Sequence, residues 1–161
     1  MGHTKGVKKK QATTKHIVNR RARHDYELGD SLVVGIALTG RETKALRMGH
    51  GQLRGAYVSV HNGELWLVNC TINGTSGIPI TESEQIRNRK LLAKQREIAA
   101  LTDAKHQGRT IVPLELLTGG RFIKLRLAMG KGKKLYDKRN TLKKRDEERS
   151  ISSALKQGRQ G

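Results

Sequence analysis

The sequence predicts a mainly β protein with a few helices, built as a small antiparallel barrel and flanked by basic ends that do not share its pattern. Three observations carry this expectation. Apolar residues alternate with a period of two in several short runs. An Asn-Gly pair sits between two such runs, and Gly-, Ser- and Asn-rich punctuation separates the others.

Residues 1–15 are mostly Lys, Gly, Thr and Gln and have almost nothing to bury, so they cannot offset the entropy of ordering and are expected to be a disordered basic arm. From Tyr26 the pattern changes. Leu32, Val34, Ile36 and Leu38 alternate with Ser31, Val33, Gly35 and Ala37, which reads as a strand with bulk on one face. Residues 41–48 are good helix formers bracketed by Gly40 and Gly49, and read as a short helix.

Residues 56–60 and 64–68 flank His61-Asn62-Gly63, where Asn-Gly supplies the positive φ angles of a tight hairpin. Residues 69–87 read as an irregular loop leading into a helix that Thr81-Glu82-Ser83-Glu84 would cap. Between Asn88 and His106 helix formers dominate, with Leu91, Leu92, Ile98 and Leu101 broadly on one side; this is the longer helix. Two more strands follow, 110–117 and 121–129, turning at Gly119-Gly120. Pro113 has no N–H to donate, so its strand is expected at an edge or bulged there.

About six short antiparallel strands with one longer helix inserted before the last pair suggest an oligonucleotide-binding-type β-barrel. It occupies residues 16–130. After Met129 the alternation stops, and residues 131–161 form a basic tail of helix-forming, charge-mixed sequence with no core of its own, expected to order only on binding.

Charge identifies the class of partner. The chain carries +19, and +15 of it lies in the ends: residues 1–24 hold eight Lys and Arg with no acid, and residues 131–161 hold eleven against four acids. Residues 25–130 have an ordinary balance of fourteen basic and ten acidic side chains. Such an excess calls for a polyanion. Membrane binding is not expected, because no apolar run, amphipathic anchor or lipidation signal accompanies the basic arms. With no signal peptide either, the chain is expected in the cytosol.

Catalysis is not expected. The phosphate-loop pattern is absent, and Gly49-His50-Gly51-Gln52-Leu53-Arg54 lacks the last glycine of a dinucleotide fingerprint. Five of the six histidines, His3, His16, His50, His61 and His106, lack paired acids or cysteines at a telling spacing, so no catalytic, metal or cofactor site is assigned, and lone Cys70 reads as a small core residue. A nuclease would need a clustered acid, base or metal set. His24 follows an arginine cluster, where it can donate to phosphate or stack on a base. Five aromatic residues are too few for successive base stacking, so phosphate contacts and RNA shape are expected to dominate. A basic cluster alone does not separate DNA from RNA, nor an adaptor from a structural ribosomal protein.

Several stretches together resemble the SsrA-binding protein (small protein B) family of bacterial trans-translation. They are Asn19-Arg20-Arg21-Ala22-Arg23-His24-Asp25-Tyr26, Gly35-Ile36-Ala37-Leu38, Lys44-Ala45-Leu46-Arg47, Arg89-Lys90-Leu91-Leu92 and Lys131-Gly132-Lys133-Lys134-Leu135-Tyr136-Asp137-Lys138-Arg139. The resemblance spans nearly the whole chain. It implies an adaptor that binds the tRNA-like domain of transfer-messenger RNA and enters stalled ribosomes with it, elongation factor Tu being part of the delivery complex. By that resemblance Asn19, Arg20, Arg21, Arg23, His24, Arg89, Lys90, Leu92, Lys94, Lys131, Lys133 and Lys134 lie on or beside the RNA-binding surface. The tail becomes helical in the empty mRNA channel, with Tyr136, Asp137, Lys138 and Arg139 at the decoding centre. Val33 and Gly55 stand where the family usually carries acids.

Overall fold

The computed structural model describes residues 17–133. The expected disorder of residues 1–15, the tail helix and the positions of Lys134, Tyr136, Asp137, Lys138 and Arg139 lie outside the described residues.

The spine of the fold is β2 (Tyr26–Ile36), which follows β1 (Ile17–Val18) and the single-turn α1 (Ala22–Asp25). Val34 and Ile36 point inward as the alternation requires, whereas Leu38 lies beyond the strand and only packs against the core. Helix α2 (Gly40–Arg47) begins at Thr39, whose hydroxyl accepts from the Glu42 N–H while the Glu42 carboxylate accepts from the Thr39 N–H. Two-residue strand β3 (Gly51–Gln52) pairs with β6 (Thr71–Ile72) in a small second sheet. The expected hairpin forms from β4 (Tyr57–His61) and β5 (Glu64–Val68), with His61 drawn into the ladder opposite Glu64. Its turn places Asn62 at φ 51° and Gly63 at φ 73°, the left-handed pair anticipated from Asn-Gly.

The segment expected to be one helix from Asn88 to His106 divides. Residues 89–92 form strand β7 (Arg89–Leu92), and the helix proper is α4 (Gln95–His106). In β7, Arg89 and Leu91 face inward while Lys90 and Leu92 face outward. This period-two pattern is masked in the sequence because one of its two inward residues is an arginine. Pairing with β2 on one side and β5 on the other overrides the local helix propensity. The capping motif at Thr81 and Glu84 does form, but it starts a separate single turn, α3 (Glu82–Gln85), not the longer helix.

The chain then adds β8 (Thr110–Leu117) and β9 (Lys124–Gly132). The seven-stranded antiparallel sheet runs β1-β8-β9-β2-β7-β5-β4. It curls until β4 lies against β8, leaving β1 as a short addition to a six-strand barrel. The register of β8 against β9 shifts between Pro113 and Glu115, so the proline stands at a bulge. The core draws on every layer, with Leu46, Leu65, Leu67, Ile72, Leu116 and Leu125 fully buried. Cys70 is buried among them, and burial pushes its thiol up to about 11 despite the opposing pull of Arg89.

Candidate nucleic-acid interface

The two basic ends of the chain are rooted side by side. Tyr26 pairs with Gly132 and Glu27 with Lys131, so the last residues of β9 lie against the first residues of β2. Beyond the strand, the Lys133 N–H donates to the Asp25 carbonyl at 2.9 Å, and its ammonium donates to the Arg23 carbonyl at 2.9 Å. The arginine cluster is held in a defined turn. Ala22 is buried and anchors it, the His24 and Asp25 N–H groups donate to the Arg21 carbonyl, and Arg20, Arg21 and Arg23 remain exposed. His24 is half-buried, with Nδ1 3.0 Å from the Asp25 carboxylate.

Asn19 belongs to this end but has a structural task. Its N–H donates to the Leu114 carbonyl at 2.8 Å and its side-chain amide to the Pro113 carbonyl at 2.9 Å. It therefore satisfies the β8 bulge, where the proline disturbs the ladder.

Lys90, Leu92 and Lys94 gather at the other end of β2. Leu92 pairs with Gly35, and the three share a cleft with Val33 and Lys124. Leu92 is about half exposed, Lys94 is exposed, and Lys90 meets Glu64 at 3.1 Å in a half-exposed ion pair. The approach at Gly35 is close: a Cβ on it would lie 3.1 Å from the Leu92 Cβ, so a side chain there would need β7 to give by a few tenths of an ångström. Gly35 lies nine steps along the strand from Tyr26, roughly 30 Å at ~3.3 Å per residue. The residues expected to form one surface thus divide into two groups at opposite ends of the barrel's longest strand.

Arg89 is not on either surface, which corrects the expectation that it faces RNA. It is completely buried. Its Nε donates to Glu42 Oε2, one terminal nitrogen to the carbonyls of Cys70 (2.6 Å) and Arg87 (3.0 Å), and the other to the carbonyls of Glu84 (3.0 Å) and Gln85 (3.1 Å). All five guanidinium donors are committed. The Glu42 carboxylate also accepts from Arg87 and from the Thr39 N–H. Burial raises its pKa, but the hydrogen bonds from Arg87, Thr39 and Arg89, with the Arg89 charge, more than offset this and leave it lowered.

A third basic group escaped the sequence reading. Arg21, Arg54 and the neighbouring pair Lys105 and Arg109 come from three separate parts of the chain and line one cleft together with Tyr26 and Tyr57. Only the fold joins positions so distant in sequence. The cleft adjoins the rooted ends through Asn19, Arg21 and Asp25, and Gly55 lies on its wall. Among the described residues no group of three or more His, Cys, Asp and Glu side chains is placed to hold a metal ion. No helix among them is long and apolar enough to cross a membrane.

Comparison with known proteins identifies the family. A chain in a solved structure described as "tmRNA-SmpB: a journey to the center of the bacterial ribosome" superposes with a TM-score of 0.62 at 36% identity, covering 74% of this chain and 85% of that one. An SsrA-binding protein of Paracoccus denitrificans is 45% identical over 142 residues, 87% of this chain and 91% of the relative. One from Gloeobacter violaceus is 41% identical over 139 residues, 86% of this chain and 91% of the relative. The family profile described as SmpB protein matches residues 16–157, and on these matches the chain belongs to the SmpB family.

Proposed function

We propose that this protein is the RNA-binding adaptor of trans-translation. It binds the tRNA-like domain of transfer-messenger RNA, travels with it and elongation factor Tu to stalled ribosomes in the cytoplasm, and itself makes and breaks no covalent bond. The observation that carries this reading is the pairing of Tyr26 with Gly132, reinforced by Lys133 at Arg23 and Asp25, which roots both basic ends at one site on the barrel. From that root the arginine turn faces RNA, and residues 134–161 extend into the message channel, with Tyr136, Asp137, Lys138 and Arg139 at the decoding centre.

Phosphate contacts supply most of the affinity. Arg20, Arg21, Arg23, Lys131 and Lys133 at one end, and Lys90 and Lys94 at the other, are the groups that make them. Leu92 offers an apolar contact between the two lysines. Arg89 acts from inside, fixing β7 so that its outward residues are presented.

The structure sets where a test should cut. Removing residues 131–133 would strip pairing partners from β2, so the truncation begins at Lys134. The chain ending at Lys133 is expected to bind transfer-messenger RNA within a few-fold of the full protein while losing tagging of stalled peptides. Normal tagging by the truncated chain would overturn the assignment of the tail to the decoding centre. Binding that bulk transfer RNA displaces as readily as it does from any basic protein would overturn the adaptor reading.

A further inference from the structure

The turn between β8 and β9 carries a side chain that the fold leaves unused. Phe122 is 70% exposed, the most exposed large hydrophobic side chain among the described residues. Its neighbours are fixed. Ile123 is buried, Thr118 is buried, and Arg47 at the end of α2 donates to the carbonyls of Thr118 (3.1 Å) and Arg121 (2.9 Å). The turn is thus strapped to the barrel at both of its shoulders, and the ring is presented from a preorganised support. The Arg121 guanidinium lies 5.5 Å from the ring centroid, within cation–π range.

Phe122 also stands two residues before Lys124, which pairs with Gly35 and lines the cleft of Lys90, Leu92 and Lys94. The ring thus belongs to a segment that leads directly into that basic cleft without lining it, and it stands beside a guanidinium in a chain of net charge +19. An exposed aromatic ring beside an arginine matches the chemistry by which proteins hold unpaired bases of folded RNA.

We propose that Phe122 is a base-stacking platform, on which an unpaired base of the tRNA-like domain stacks while Arg121 and Lys124 meet the flanking phosphates. The proposal rests on the adaptor reading and extends its surface to a turn that the arginine and β7 motifs do not include. A flexible or apolar-only role would not need the two hydrogen bonds from Arg47 or the neighbouring guanidinium.

The test is equilibrium binding of the full-length chain to isolated transfer-messenger RNA over a salt series, with bulk transfer RNA as competitor. Phe122→Ala and Phe122→Leu are both expected to weaken binding about ten-fold, the scale of removing one base–aromatic stack, while Phe122→Trp retains it. The slope of affinity against salt should be unchanged in all three, since no phosphate contact is removed. Thermal unfolding confirms that each variant is folded. If Phe122→Leu binds as tightly as the parent, the interaction does not depend on the ring and the proposal is overturned. It is also overturned if Phe122→Ala binds normally while the parent discriminates between the two RNAs, an outcome that leaves the adaptor reading intact. A loss confined to ribosomes, with binding to isolated transfer-messenger RNA unchanged, overturns the assignment of the base to that RNA. Failure of the parent to discriminate removes the adaptor reading and this proposal together.

Discussion

Arg89 shows why one arginine in a basic chain cannot be read like another. Its five donors are matched one by one to Glu42 and four backbone carbonyls, so its removal would leave buried acceptors without partners. Breaking the pair from the other side is costlier, because an uncompensated charge then stays inside. Glu42→Ala is expected to destabilise the barrel by about 3–5 kcal/mol, measured by urea unfolding. Arg89→Lys is also expected to be destabilising, since three ammonium donors cannot replace a five-donor fork. The pH dependence has a definite sign. The lowered Glu42 pKa means that the folded state holds the ionised form, so its contribution is present above the unfolded value near 4.5 and is lost as pH falls through the folded one. Urea midpoints should therefore fall on acidification below that value, and less steeply in Glu42→Gln than in the parent. Cys70 titrates in the opposite sense. Its thiol, raised to about 11, resists ionisation in the fold, so a thiol reagent at about pH 8 should label it only on unfolding.

At the scale of elements, legibility follows how local each cause is. The β4–β5 hairpin is readable because Asn62 and Gly63 dictate their own turn, and α2 is readable because its helix formers run up to Gly49, although the Thr39 cap draws Gly40 into the first turn and starts the helix one residue early. β7 is not readable. Its four residues favour a helix locally, and what makes them a strand is the pair of neighbours β2 and β5, which lie far away in the sequence. The candidate site divides in the same way. The arginine turn and the tail root are local motifs, whereas the cleft of Arg21, Arg54, Lys105 and Arg109 and the interior position of Arg89 arise from long-range packing. The close approach at Gly35 offers a test at this scale. Gly35→Val would push against Leu92, so the β2–β7 seam should loosen first. Faster amide exchange at Ala37, whose N–H donates to the Lys90 carbonyl, should report it, while exchange across the β4–β5 hairpin stays unchanged.

For the molecule as a whole, the question is whether one RNA spans both ends of the barrel. The ends of β2 carry separate basic groups, roughly 30 Å apart along the strand, too far for their side chains to couple directly. Removing any one phosphate-binding side chain should lower the salt slope of RNA binding by close to one, whichever end it comes from. Arg20→Gln with Arg23→Gln removes charge at the arm root, and Lys94→Gln with Lys124→Gln removes it at the cleft. If the tRNA-like domain spans both, each double variant should weaken transfer-messenger RNA binding, and the free-energy losses should add within about 0.5 kcal/mol when the two are combined. The slope should then fall by about four in the fourfold variant. If one end instead faces ribosomal RNA, only the other pair will affect isolated transfer-messenger RNA, and the silent pair will weaken ribosome association. Comparing the affinities for the two RNA partners distinguishes a single long footprint from an adaptor whose barrel stands between two RNAs, with each end committed to one of them.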